Sequence, residues 1–169
     1  MILSGPPGVG KTSSILCLAK TILGDRYSEA VKELNASDDR GIEVVRNEIK
    51  DFTQKTCYLP PGQTKIMLLD EADSLTEGAQ QALRMIISNS NDTRFVLSCN
   101  DSSKLISAIQ SRCVLLKFKK LSENEIRQSL NKISQAEGVQ ISNEALDTLI
   151  SISEGDMRQA INNLQACHQ

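Results

Sequence analysis

The sequence predicts an α/β fold: an open parallel sheet of five strands with helices between them, followed by a small three-helix unit. Three observations carry this. Over residues 1–118, short apolar runs alternate with polar, helix-forming stretches. The runs Ile66-Met67-Leu68-Leu69 and Phe95-Val96-Leu97 contain no polar residue, which suits strands covered on both faces. After Phe118 only helical patterns remain.

In order, Met1–Ser4 is the first strand and leads into a glycine-rich loop and a helix over about Lys11–Leu23. Val31–Asn35 is the second strand, and a helix follows over about Gly41–Thr56. Leu59-Pro60-Pro61-Gly62-Gln63 is a loop by its proline and glycine content. Ile66–Asp70 is the third strand, Gly78–Ser88 a helix, and Asn89-Ser90-Asn91-Asp92 a polar turn. Arg94–Cys99 is the fourth strand, Ser103–Gln110 a helix, and Val114–Phe118 the fifth strand. Ser122 and Glu125 form a capping box that opens the next helix, with Ile126, Leu130 and Ile133 on its apolar side. Ser142 caps a second helix carrying Leu146, Leu149 and Ile150. Asp156 caps a third, with Gln159 at the reciprocal position and Ile161 and Leu164 turned inward.

The chain has 169 residues, 40% of them hydrophobic, enough for one core and a small second unit. Aromatics are only 3%, so aliphatic side chains carry the packing. The net charge of −2 provides no bulk basic field, so any nucleic-acid contact must come from local side chains or helix N-termini. No apolar run approaches the roughly 20 residues needed to cross a bilayer, and the start lacks the pattern of a secretory signal. The five cysteines are odd in number and form no C-x-x-C pair. They read as buried or half-buried reduced thiols of a cytosolic or nuclear protein. Cys167-His168 has no partner cluster, which argues against zinc.

Gly5-Pro6-Pro7-Gly8-Val9-Gly10-Lys11-Thr12 fits the spacing G-x-x-x-x-G-K-[ST] between a strand and a helix. The glycines let successive N–H groups turn inward around a phosphate chain. The following helix points its positive end at the same anion. Lys11 reaches the β- and γ-phosphates, and the Thr12 hydroxyl takes a Mg²⁺ position. Together with Ser13, these residues are the expected ATP/ADP site. The third strand ends in Asp70-Glu71-Ala72-Asp73. In a sheet of this kind that strand is expected beside the first, with Asp70 near Thr12 helping to hold Mg²⁺. Glu71 then orients and polarises the attacking water.

With these motifs the chain resembles the small subunits of replication factor C, the eukaryotic sliding-clamp loader, within the AAA+ ATPases. The narrower marks are Glu33-Leu34-Asn35-Ala36-Ser37-Asp38-Asp39-Arg40-Gly41-Ile42, Leu69–Ser74, Gly78-Ala79-Gln80-Gln81-Ala82-Leu83-Arg84, Gln110-Ser111-Arg112-Cys113 and Glu154-Gly155-Asp156-Met157-Arg158-Gln159-Ala160. The resemblance implies an AAA+ P-loop NTPase core over residues 1–119 and a helical lid over 120–169. It implies that the segment before the first strand and the C-terminal collar are missing, so that the chain is truncated at both ends.

The resemblance also assigns roles. Asn100 matches the first sensor, which helps place the hydrolytic water. Arg112 matches the arginine finger, which reaches the γ-phosphate held by a neighbouring subunit; arginine suits this because it stays charged and presents a rigid fork. Arg158 matches the second sensor in the lid. Arg40, Arg46, Lys50 and Arg84 are candidates for contact with the primer–template DNA backbone, with Arg46 and Lys50 one helical turn apart. The family pattern has a second arginine after Arg84, where this chain has Met85.

The implied function is that of a nuclear, ATP-hydrolysing core within a hetero-pentamer, whose partners are other loader subunits, a ring-shaped clamp and primed DNA, with no membrane. Two alternatives stand beside it. One is a nucleotide-dependent scaffold module with little turnover of its own. The other is a protein-remodelling AAA+ enzyme, which would be expected to carry an aromatic pore loop after the second strand.

Overall fold

The computed structural model describes residues 1–37 and 42–168, leaving aside the side chains of 42–45 and 168. The chain divides into two compact units. One comprises Met1–Ser4 and Lys11–Lys117; the other comprises Gly5–Gly10 and the residues from Phe118 onward.

The first unit is a five-stranded sheet of β1 (Ile2–Ser4), β2 (Val31–Asn35), β3 (Lys65–Asp70), β4 (Thr93–Cys99) and β5 (Leu115–Lys117). All its pairings are parallel and the order is β2-β3-β4-β1-β5. The helices are α1 (Lys11–Leu23), α2 (Tyr27–Ala30), α3 (Ile42–Gln54), α4 (Glu77–Asn89) and α5 (Ser107–Gln110). The apolar runs behave as expected: Met67, Leu68 and Leu69 are 0% exposed, and Phe95, Val96 and Leu97 are buried. Each such aliphatic side chain removed from water contributes about 1.5–3 kcal/mol. Leu34, Ile49, Leu83, Ile86, Leu105 and Ile109 complete one core with Met67, Leu69, Phe95 and Leu97.

Two expectations about this unit are corrected. The acid-ending strand does not lie beside the first: β4 is inserted between β3 and β1, pairing Leu69 with Leu97 on one side and Ser4 with Cys99 on the other. Nor is 103–110 one helix. It is a 3-10 turn (Ser102–Lys104), an extended step, and the single helical turn α5. The Asp101 carboxylate accepts the Ser103 N–H at 2.9 Å and starts the 3-10 turn instead. The short helix α2 was not expected.

The second unit holds α6 (Glu123–Glu137), α7 (Asn143–Ser153) and α8 (Met157–His168). The three expected caps form, without the reciprocal bond from Gln159, because the Asp156 N–H donates to the Ser153 carbonyl at 2.9 Å. Ser122 and Glu125 bond reciprocally, Ser142 Oγ accepts the Ala145 N–H at 3.2 Å, and Asp156 Oδ1 accepts the Gln159 N–H at 3.0 Å. Hydrogen bonds from Ser122 hold the Glu125 carboxyl below its usual pKa. Ile126, Leu130, Leu146, Leu149, Ile150, Ala160 and Leu164 form this unit's core. Among the described residues, no helix is long and apolar enough to cross a membrane.

All five cysteines are free. Cys99 is buried, and burial pushes its thiol pKa up. Cys17 and Cys167 are exposed, contrary to the expectation of buried or half-buried thiols, because they occupy outward faces of α1 and α8.

Candidate active site

The C-terminal ends of β3 and β4 and the first turn of α1 bring four of the expected residues together in the first unit. A parallel sheet aligns its strand ends, so one rim collects whatever follows each strand. The Thr12 hydroxyl donates to Asp70 Oδ2 at 2.7 Å. Lys11 is 8% exposed, and its Nζ donates to Asn100 Oδ1 at 3.0 Å. The Glu71 N–H donates to the other oxygen of Asp70 at 3.0 Å. The inserted β4 makes the Lys11–Asn100 contact available, because it carries residue 100 to the rim between the acid strand and β1.

Glu71 has φ 52° and ψ 38°, a left-handed conformation that non-glycine residues seldom adopt. Its carbonyl accepts the Ser74 N–H at 2.9 Å and the Ser74 hydroxyl at 2.7 Å, which fixes the turn. Its side chain is exposed.

Asp73 had no separate role in the sequence reading. Its Oδ2 accepts the N–H groups of Asn100 at 3.3 Å and Asp101 at 3.2 Å. The turn bearing the acids thereby fixes the backbone that bears Asn100. The partners are main-chain groups in a distant segment, so no spacing signal reveals the contact. The only hint is the adjacency of Asp73 to Asp70-Glu71.

In the second unit, the glycine-rich loop meets its own neighbours. A Cβ at Gly5 would lie 2.4 Å from the Phe118 carbonyl oxygen. At Gly8, which has φ +66°, it would lie 1.7 Å from Asp156 Oδ1. The Met157 N–H donates to the Gly8 carbonyl at 3.0 Å. Only glycine fits these approaches. Pro6, Pro7, Val9 and Gly10 complete the loop, with Val9 buried and Pro7 exposed. Ser13 is exposed on α1.

Arg112 is exposed, and its Nη1 donates to the Ala108 carbonyl at 3.0 Å. Arg158 is exposed on the first turn of α8. Arg46 and Lys50 are exposed on α3 and line a groove of about 490 Å³, with Met85 and Asn89 of α4 on its other wall. Arg84 is half-buried and contacts Met85 Sδ at 3.4 Å. Arg40 lies outside the described residues. Among the described residues, no group of three His, Cys, Asp or Glu side chains is placed to hold a metal by itself.

Comparison with known proteins decides the family. The ATPase family associated with various cellular activities (AAA) matches residues 1–121. The chain belongs to the AAA ATPase family. Residues 123–169 match the RFC1-like, AAA+ ATPase lid domain. Replication factor C subunit 4 of Saccharomyces cerevisiae is 56% identical over 98% of this chain and 52% of its own length. Replication factor C subunit 2 of Arabidopsis thaliana is 59% identical over 98% of this chain and 50% of its own. The chain therefore spans about half the length of the curated relatives it matches. Among solved structures, the Thermotoga maritima RuvB Holliday junction branch migration motor superposes with a TM-score of 0.72 at 19% identity. It covers 97% of this chain and 52% of that one, a likeness of fold. An AAA family member binds nucleotide.

Proposed function

We propose that this chain is the ATPase core of a clamp-loader small subunit. In this reading, ATP binding and hydrolysis drive loading of a ring-shaped clamp onto primer–template DNA in the nucleus, within a hetero-oligomer of related subunits. The observation that carries the reading is the 2.7 Å contact of Thr12 with Asp70 beside the 3.0 Å contact of Lys11 with Asn100. One buried ammonium, a hydroxyl, a carboxylate and an amide meet at a single rim of the sheet. The similarity to replication factor C subunits over nearly the whole chain supports the assignment to clamp loading.

The donor set fits Mg²⁺. A hydroxyl and a carboxylate are hard oxygen donors already within hydrogen-bond distance, and one or two protein oxygens suffice because Mg²⁺ keeps several waters. Thr12 and Asp70 would hold it, and when bound it neutralises charge on the β- and γ-phosphate oxygens. Lys11 adds a point charge on the same phosphates. Asn100, held from behind by Asp73, orients the attacking water through its side-chain amide. Glu71 polarises that water with a carboxylate kept on a fixed turn. Arg112, exposed and always charged, reaches the γ-phosphate of an adjoining subunit. Arg158 serves as the second sensor. Arg46 and Lys50, exposed on one helix face, are candidates for the DNA backbone, with Arg84 and Arg40 as further ones.

The test is ATP hydrolysis by the full-length chain mixed with partner subunits, with and without clamp and primed DNA. The expected result is turnover that rises when both are added. A rate indifferent to both contradicts clamp loading and leaves the scaffold reading.

A further inference from the structure

The glycine-rich loop does not fix its own backbone. Gly8 has φ +66° and Gly10 φ +87°, and glycine populates both signs of φ about equally. As far as Gly8 itself is concerned, the peptide linking it to Val9 can stand either way up. The difference matters because a trans peptide points its C=O and its N–H in opposite directions. Whatever holds the Gly8 carbonyl therefore aims the Val9 N–H.

The first turn of α8 holds it. The Met157 N–H donates to the Gly8 carbonyl at 3.0 Å, so the Val9 N–H points away from α8. Asp156 stands behind Gly8, with its carboxylate where a Cβ of residue 8 would lie. Asp156 is fixed in turn, since its Oδ1 accepts the Gln159 N–H at 3.0 Å and its N–H donates to the Ser153 carbonyl at 2.9 Å. Val9 is 8% exposed, so its buried side chain anchors the other end of the same peptide. Met157 is the first residue of α8. Its N–H is one of the four that a helix leaves without an internal partner, and here it is used on the loop.

We propose that the main-chain N–H of Met157 is a positioning group for nucleotide. By holding the Gly8 carbonyl, it keeps the Val9 N–H turned toward the phosphate chain, and the loop is arranged for an anion before one arrives. The proposal rests on the reading of Gly5–Thr12 as a phosphate site. It is distinct from the role proposed for Arg158, which concerns the γ-phosphate. Backbone N–H groups of such a loop cradle the α- and β-phosphates, which ATP and ADP share.

The experiment removes one donor. Proline is favoured at the first helical position, where no internal bond is lost. It also pushes the residue before it toward the extended backbone that an N-cap adopts. Met157→Pro therefore deletes the N–H with α8 retained. Met157→Ala is the reference, because it loses the same side chain, which packs against the core of this unit, and keeps the N–H. Both variants of the full-length protein, and the parent, are titrated with MgATP and with MgADP, and nucleotide-free melts are recorded. The proline variant should bind both nucleotides roughly three- to tenfold more weakly than the alanine variant, by the same factor for each, with matching melts. Equal affinities in the two variants overturn the proposal. A loss confined to ATP also overturns it, because the effect then lies at the γ-phosphate and Arg158. If the parent binds neither nucleotide, the phosphate-site reading falls and the proposal falls with it. Should Met157→Pro fail to fold, amide exchange in the nucleotide-free parent decides. An N–H with no partner inside its helix is protected only by a group outside it. Protection of the Met157 amide is expected, and exchange at the rate of an exposed amide overturns the proposal.

Discussion

Glu71 combines an exposed carboxylate with a backbone conformation that costs about 1–2 kcal/mol for a residue with a Cβ. Three hydrogen bonds hold it there: its N–H to Asp70, and its carbonyl to Ser74 twice. Strain maintained this way at the rim beside Lys11 and Thr12 fits a carboxylate whose direction matters. The conformation alone is not diagnostic, since Glu154 has φ 49° as the cap of α7, ahead of Gly155. The chemistry separates the two. Glu71→Gln preserves shape and hydrogen-bonding reach but removes the charge on which the role proposed for Glu71 depends. It should keep ATP affinity and lose roughly 10²–10⁴ in turnover in the assembled complex, measured by single-turnover hydrolysis; an unchanged rate removes Glu71 from that role. The contact of Thr12 with Asp70 was legible in the sequence, from the two motifs that carry those residues. The contacts of Asp73 were not, because they satisfy main-chain groups of a distant segment and leave no periodic trace.

The end of α3 shows how an element is secured by one side chain. Lys65, the first residue of β3, is 5% exposed, and its Nζ donates to the carbonyls of Phe52, Thr53 and Lys55 at 3.0, 2.8 and 2.7 Å. These are orphan acceptors at a helix C-terminus, where a cation is favoured. Burial lowers the pKa of this ammonium, and the nearby Asp92 carboxylate opposes that shift. Lys65→Met keeps the volume and strands three carbonyls. It should destabilise the first unit by roughly 2–4 kcal/mol in denaturant melts; a loss too small to measure would show that water replaces the ammonium. The strands were legible because fully apolar runs have few other uses. The order of the strands was not, since inserting β4 between β3 and β1 changes no local pattern. The overlong helix at 103–110 failed for a related reason: carbonyls that a helix would have used are taken by Gln80 and Gln110.

Each of the two units has its own core, and the three capped helices of the second were readable in full from Ser122, Ser142 and Asp156. The glycine-rich loop links them in sequence: Gly5 and Gly8 leave no room for a Cβ against Phe118 and Asp156, while Lys11 and Thr12 open α1 of the sheet. The functional account stands on phosphate binding by this one stretch of chain. Titration of MgATP into the full-length protein, beside its Lys11→Ala variant, tests that most directly. The account predicts binding by the parent chain and none detectable by the variant, with the nucleotide-free melting profile retained. Equal affinity in the two proteins would contradict it.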